Sequence, residues 1–169
     1  MITTLDERPS LLPRIYEIAE TWPAFIPHDP VGEGLLGRVA EDFPRYCVAA
    51  TDGDRVIARG LSVPFNADLD GREETPDKGW DQVLVWAFRD QRHGHPPTTA
   101  SALEITVDTE YLGRGLSYRM LAALRNAVGR QGHNVPLAPV RPTAKHREPR
   151  VPTGHGLQRT RTRWPRRRR

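Results

Sequence analysis

Apolar positions recur at helical spacing in some stretches of the chain and at strand spacing in others. Leu11, Leu12, Ile15, Ile18, Ala19 and Trp22 follow a 3.6-residue period and predict an amphipathic helix over 10–22. Ser10 is its N-cap candidate, and Pro13 sets its firm start. Pro23, Pro27 and Pro30 mark a loop, and a shorter helix is predicted over 33–42 with Leu35, Leu36 and Val39 on one side. Residues 45–51 and 54–63 are rich in strand formers and flank Asp52-Gly53, a hairpin turn signal. Residues 66–78 are polar, punctuated by Gly and Pro, and expected to form a mobile loop. Helical period returns over 79–92, with Trp80, Val83, Leu84, Ala87 and Phe88 on one stripe. Residues 102–107 read as a buried strand, 108–114 as a turn, and 115–129 as a helix burying Leu116, Met120, Leu121, Leu124, Ala127 and Val128. Residues 135–140 are a short strand candidate despite Pro136 and Pro139. The sum is an α/β layout, a mixed sheet flanked by helices. Its strand–helix–strand unit over 102–140 should be parallel and right-handed.

Composition narrows the class. A chain of 169 residues suffices for one domain with a real core. It has no run of 18 apolar residues, so no membrane span is expected, and Asp6, Glu7 and Arg8 are unlike a secretory signal. A single cysteine, Cys47, excludes an internal disulfide framework and a cysteine-based zinc site. A cytoplasmic location is the default expectation.

The net charge of +4 divides unevenly along the chain. Residues 1–150 carry a net −3, whereas 151–169 hold seven arginines and no acid. The expected organisation is one domain over 1–150 and an Arg-rich, disordered tail over 151–169. The mildly acidic body argues against a broad nucleic-acid face. The tail admits three readings: a segment binding nucleic acid or anionic membrane, a plain disordered end, or an out-of-frame translation of GC-rich DNA. Its lack of acid and of apolar period favours the last.

The chemistry concentrates in LEITVDTEYLGRGLSYRML, residues 103–121. A buried strand runs into a glycine-bearing turn that opens an amphipathic helix. The first backbone amides of a helix lack intrahelical partners, and with the helix dipole they favour an anion. Gly113 and Gly115 let a phosphate approach the backbone, Arg114 adds charge, and Ser117 adds a donor. The alternative is that both glycines merely permit a tight turn. The spacing matches neither the dinucleotide fingerprint nor a P-loop.

This segment resembles motif A of the GNAT superfamily of N-acetyltransferases: a strand ending in Val, an acidic turn, then [Arg/Gln]-x-x-Gly-x-[Gly/Ala] at a helix start. Val107 ends the strand here, and Leu112-Gly113-Arg114-Gly115-Leu116-Ser117 occupies the phosphate turn. Leu112 and Ser117 depart from the pattern. The resemblance spans roughly 10–145 and implies a GNAT-like mixed sheet. It also implies acetyl-CoA as acetyl donor, its pyrophosphate on the amides of Leu112–Ser117 and its pantetheine arm along Ile105, Thr106 and Val107. A backbone N–H near Val107 would polarise the thioester carbonyl. Glu104, an ionisable residue within an apolar strand, becomes the candidate general base, its pKa raised by burial. Its alternative is to face solvent or pair with Arg59. The family's general acid is commonly a tyrosine late in the domain, whereas the last tyrosine here is Tyr118. The two closing strands are also missing. The resemblance thus implies a C-terminally truncated or frameshifted chain, which puts its activity as written in question.

The expected function is acetyl transfer from acetyl-CoA to a primary amine of a small molecule. The alternative is a non-catalytic nucleic-acid-interacting protein working through its tail. No metal site is expected: His93 and His95 flank a glycine but lack ligand partners in sequence. Cys47 reads as core. Trp86, off the stripe shared by Trp80 and Phe88, is the candidate for a cleft wall.

Overall fold

Strand β3 (Arg55–Phe65) is buried on both faces, and the fold is layered around it. The computed structural model describes residues 1–19, 29–72, 76, 78–133 and 137–138. β3 pairs antiparallel with β2 (Val48–Asp52) on one side and with β4 (Thr99–Val107) on the other. A three-residue strand, β1 (Ile2–Thr4), joins the far side of β2, giving the order β1-β2-β3-β4. The period-2 signal of β1 is too short to read from sequence. Its place is fixed by fully buried Leu5 and by the terminal amine, which donates to the Thr51 carbonyl at 2.8 Å.

One face of the sheet packs Val56, Leu61, Val63 and Phe65 against α1 (Pro30–Leu35), α2 (Val39–Asp42) and α3 (Trp80–His93). The other packs Val48, Ala50 and Ala58 against Leu116, Met120, Leu124 and Ala127 of α4 (Leu116–Arg130). Close approach of α4 depends on Gly60, where a Cβ would stand 3.0 Å from Val48 Cγ2 and 3.6 Å from Leu124 Cδ1. At its far end α4 is tied down by a buried 3.0 Å hydrogen bond between the Tyr46 hydroxyl and His133 Nε2.

Several expectations need correction. The helix over 10–22 is a 3-10 stretch, Pro9–Arg14, that does not continue through 15–19. Pro13 removes a donor from its interior. Beyond it, the carbonyls of Ile15 and Ala19 accept from Arg59 and from the Thr109 amide. Leu11, Ile15 and Ile18 are nevertheless buried, as the period requires. The helix over 33–42 breaks into α1, a 3-10 turn and α2, consistent with the helix-poor Gly32, Gly34 and Gly37. Leu121 lies exposed on α4 rather than inward. Among the described residues the four strands pair antiparallel, and the parallel element is a single bridge, Ser101 to Leu137, where a strand over 135–140 is expected. Trp22, most of 135–140 and the whole tail lie outside the described residues.

The polar segment after β3 is anchored rather than loose where it is described. Arg72, 7% exposed, makes a two-pronged ion pair with Asp90 of α3, 3% exposed, at 2.6 and 2.8 Å. Asp90 also accepts from the Asn66 amide at 2.8 Å, and the Arg72 guanidinium stacks 4.7 Å above the Trp86 ring. Trp86 meets Phe65 on its way, so it belongs to this anchor and not to a cleft wall. Burial alone would raise the Asp90 carboxyl, but Arg72 and the Asn66 amide outweigh it and hold the group below its ordinary range. Asp90→Ala strands a buried guanidinium, and we expect urea unfolding to register a loss of about 3–5 kcal/mol. Because the folded-state pKa is depressed, the stabilisation is complete above the unfolded-state value, about 3.9. It fades as pH falls through the folded value. The gap between the unaltered chain and Asp90→Asn should therefore narrow in acid-unfolding curves below that pH.

Candidate functional site

The strand-to-helix turn between β4 and α4 is built from backbone handedness. Gly113 and Gly115 adopt φ of +74° and +70°, and a Cβ at either would meet nothing within 4 Å. They are therefore required for conformation rather than space. Gly115 caps α4 without a side-chain hydrogen bond, so the first helical amides, from Leu116 and Ser117, are left to an outside acceptor. The turn is open to solvent, with Leu112, Gly113, Arg114, Gly115 and Ser117 exposed and only the Leu116 side chain packed into the core.

Two acids precede this turn, and Arg55 is shared between them. Asp108 accepts from the Glu110 amide at 3.1 Å and from Arg55 at 2.8 Å, which together hold its carboxyl below the usual range. Arg55 reaches Glu110 as well, at 2.6 Å. Arg114 has no carboxylate partner among the described residues. Its guanidinium stands 5.0 Å from the centroid of the Tyr111 ring, whose hydroxyl donates to Asp52 at 2.7 Å. The charge carried by the turn itself, between the two glycines, is that of Arg114, the sign an anion site requires.

β4 presents its outer edge through a change of phase. The Ala102 amide points outward and donates to the Leu137 carbonyl at 2.6 Å, whereas the Asp108 amide points inward to the Ile57 carbonyl of β3 at 2.9 Å. Register slips between Leu61 and Ser62, leaving Leu103 as an extra residue in β4. Counting back from Asp108 along the ladder, the amides of Val107 and Ile105 face the outer edge and that of Thr106 faces β3. The Ile105 and Val107 side chains pack toward α4, while the Thr106 side chain is buried.

Glu104 lies on the opposite face, beneath the N-terminal segment. Its Oε1 accepts from Arg59 Nε at 2.5 Å, and the two side chains are 7% and 5% exposed. The paired alternative is the one realised. The Arg59 guanidinium also stacks 5.0 Å from the centroid of Tyr16 and lies 3.5 Å from the Ile15 carbonyl. Tyr16 is fixed by its hydroxyl, which donates to the Leu36 carbonyl at 2.9 Å, and burial pushes that phenol up to about 12.

The remaining candidates sit elsewhere. Cys47 is fully buried and burial pushes its thiol up to about 12, so it has no nucleophilic character. The His93 and His95 rings stack at 5.8 Å, with His93 Nδ1 on the Arg89 carbonyl and His95 Nδ1 3.5 Å from Asp90. Arg55, Tyr16 and Tyr111 shape the site without having been assigned to it from sequence, and Arg59 was named only as an alternative partner of Glu104. Arg55 and Arg59 come from β3, some fifty positions before the turn, and carry no local motif.

No family model matches the chain. An arginine N-acetyltransferase of Aspergillus versicolor, avaD, is 30% identical over 166 residues, an alignment covering 89% of this chain and 56% of that protein. The chain therefore spans a little over half the length of the curated relative it matches. Similar solved structures include the GphF GNAT-like decarboxylase in complex with isobutyryl-CoA, at 17% identity and a TM-score of 0.48, covering 75% of this chain and 58% of that one. The loading GNATL domain of CurA from Lyngbya majuscula is 13% identical with a TM-score of 0.47, covering 75% and 56%. The chain is thus similar along most of its own length to an arginine N-acetyltransferase, and it carries a glycine turn between a strand and a helix of a helix-flanked sheet.

Proposed function

We propose that this protein transfers an acetyl group from acetyl-CoA to a primary amine of a small molecule. The observation that carries the reading is the turn at 112–117, where the first helical amides, a left-handed glycine pair and Arg114 converge while Arg55 engages both neighbouring acids. In this reading the amides of Leu112–Ser117, with Arg114, hold the pyrophosphate. The outer edge of β4 at Ile105, Thr106 and Val107 receives the pantetheine arm as an added strand, and the Val107 amide steadies the charge that develops on the thioester oxygen. Glu104 accepts the proton that the acceptor ammonium must lose before its nitrogen attacks. Arginine is the first acceptor to test, since the aligned relative is an arginine N-acetyltransferase.

Calorimetric titration with CoA and acetyl-CoA tests the first half. Binding is expected, and Gly115→Asp should weaken it at least about tenfold by setting a carboxylate against the pyrophosphate. Gly94→Asp is the matched control, with φ of +68° and an equally open position at the end of α3. It should bind as the unaltered chain does, and equal losses in both variants would assign the effect to backbone strain.

The second half is tested by thiol release from acetyl-CoA. Release that rises with added arginine, and is absent without an amine, is the expected result. Release indifferent to any amine would leave a CoA-binding protein without the transferase activity.

A further inference from the structure

We propose that Arg59 is a positioning residue for Glu104, fixing its carboxylate in place and keeping it in the ionised form that can accept a proton from the acceptor amine. The inference rests on the acetyl-transfer reading and adds to it a residue that has no part in the glycine turn.

The argument begins with the position of Glu104. It projects from β4 onto a face whose core is formed by Leu61, Val63 and Phe65. A carboxylate in such surroundings tends to take up a proton, and a carboxyl that already holds its proton cannot receive another. Arg59 reverses that tendency. It sits diagonally across the β3–β4 ladder, since Arg59 pairs with Thr106 and Leu61 with Glu104. From there its Nε reaches Glu104 Oε1 at 2.5 Å.

Arg59 is itself braced. The Tyr16 ring lies against its guanidinium plane, the Ile15 carbonyl approaches its NH1 group, and Tyr16 is held by the Leu36 carbonyl. A charge held on two sides holds its partner in turn. The other titratable groups facing the pair among the described residues are Tyr16 and Cys47. Both are pushed up to about 12 and so stay neutral around Glu104.

The step balances without further reagents. The acceptor ammonium gives one N–H proton to the Glu104 carboxylate, and its freed electron pair forms the N–C bond to the acetyl carbonyl carbon. The C–S bond breaks, and the electron pair leaves with the CoA thiolate. The second nitrogen proton goes to the thiolate or to solvent. Arg59 exchanges no proton. It decides whether Glu104 is a carboxylate when the amine arrives.

The test uses the full 169-residue chain with Arg59→Met, Arg59→Lys and Glu104→Gln. Calorimetry with CoA comes first. No binding by the unaltered chain overturns the acetyl-transfer reading and this inference with it. Given binding, thiol release from acetyl-CoA with arginine or agmatine is followed from about pH 6 to about pH 9.5, a span that covers a burial-raised carboxyl and lies above the ordinary one. Glu104→Gln should lower kcat about 100-fold at every pH and leave KM for acetyl-CoA within about twofold. Arg59→Met should lose about tenfold near pH 7 and regain most of it at the alkaline end, where the carboxyl ionises unaided. Arg59→Lys, which keeps the charge but not the fork, should stay within about threefold. If Arg59→Met does not fold, Arg59→Gln keeps a hydrogen bond without the charge and carries the same expectation. An Arg59 variant profile lowered equally at all pH values overturns the inference. So does full activity in Glu104→Gln, or a CoA-binding chain that releases no thiol with either amine.

Discussion

A strand buried on both faces accepts a charged side chain only against a counter-charge, and that constraint organises this molecule. β3 lies at the centre of two apolar layers, yet it carries Arg59 at 4% exposure. The guanidinium can remain there because β4 supplies Glu104, the N-terminal segment supplies the Tyr16 ring, and the Ile15 carbonyl lies within reach. The path of residues 15–19 follows from the same demand. Their carbonyls turn away from helix formation toward Arg59 and Thr109, which ties the start of the chain to the middle of the sheet. Arg72 and Asp90 repeat the solution at the other end of β3, where the pair holds the segment entering α3.

Arginine is used differently beside the glycine turn. Arg55 is half exposed, so its bonds to Asp108 and Glu110 contribute little to folding on their own. Their effect is on the field near the helix start. Without Arg55, two carboxylates would oppose any phosphate drawn to the amides of the turn. With it, Arg114 is the charge that counts. The stack of Arg114 on Tyr111, and the anchoring of Tyr111 by Asp52, extend the site across the hairpin between β2 and β3.

The sequence carried the hairpin at Asp52-Gly53, the helix over 80–93, the strand ending at Val107 and the glycine turn, because each is written in a few consecutive residues. Gly53 and Gly115 both lie at positive φ, where local chemistry alone dictates glycine. The helix over 10–22 was misjudged for a complementary reason. Its apolar period correctly marked Leu11, Ile15 and Ile18 as buried, but burial does not distinguish a helix from an irregular segment whose carbonyls are wanted elsewhere. Trp86 failed similarly: off the helical stripe, it still found Phe65 and Arg72, neighbours that helical period alone does not reveal. The partnership of Arg59 with Glu104 was legible only as an alternative, since residues forty-five apart meet by register, and register is not written at either position.

The bulge at Leu103 has a simple arithmetic behind it. On its far side Ala102 turns its amide to Leu137, and on its near side Ile105 and Val107 turn theirs outward, so the outward donors are spaced three residues apart and then two. A regular parallel neighbour offers acceptors at every second residue and cannot follow that rhythm past Ala102. Removing Leu103 would leave each remaining amide on its present side while restoring an even beat. The phase of this edge is in that sense a matter of counting: one extra residue in β4 shifts its outward donors between Ala102 and Ile105.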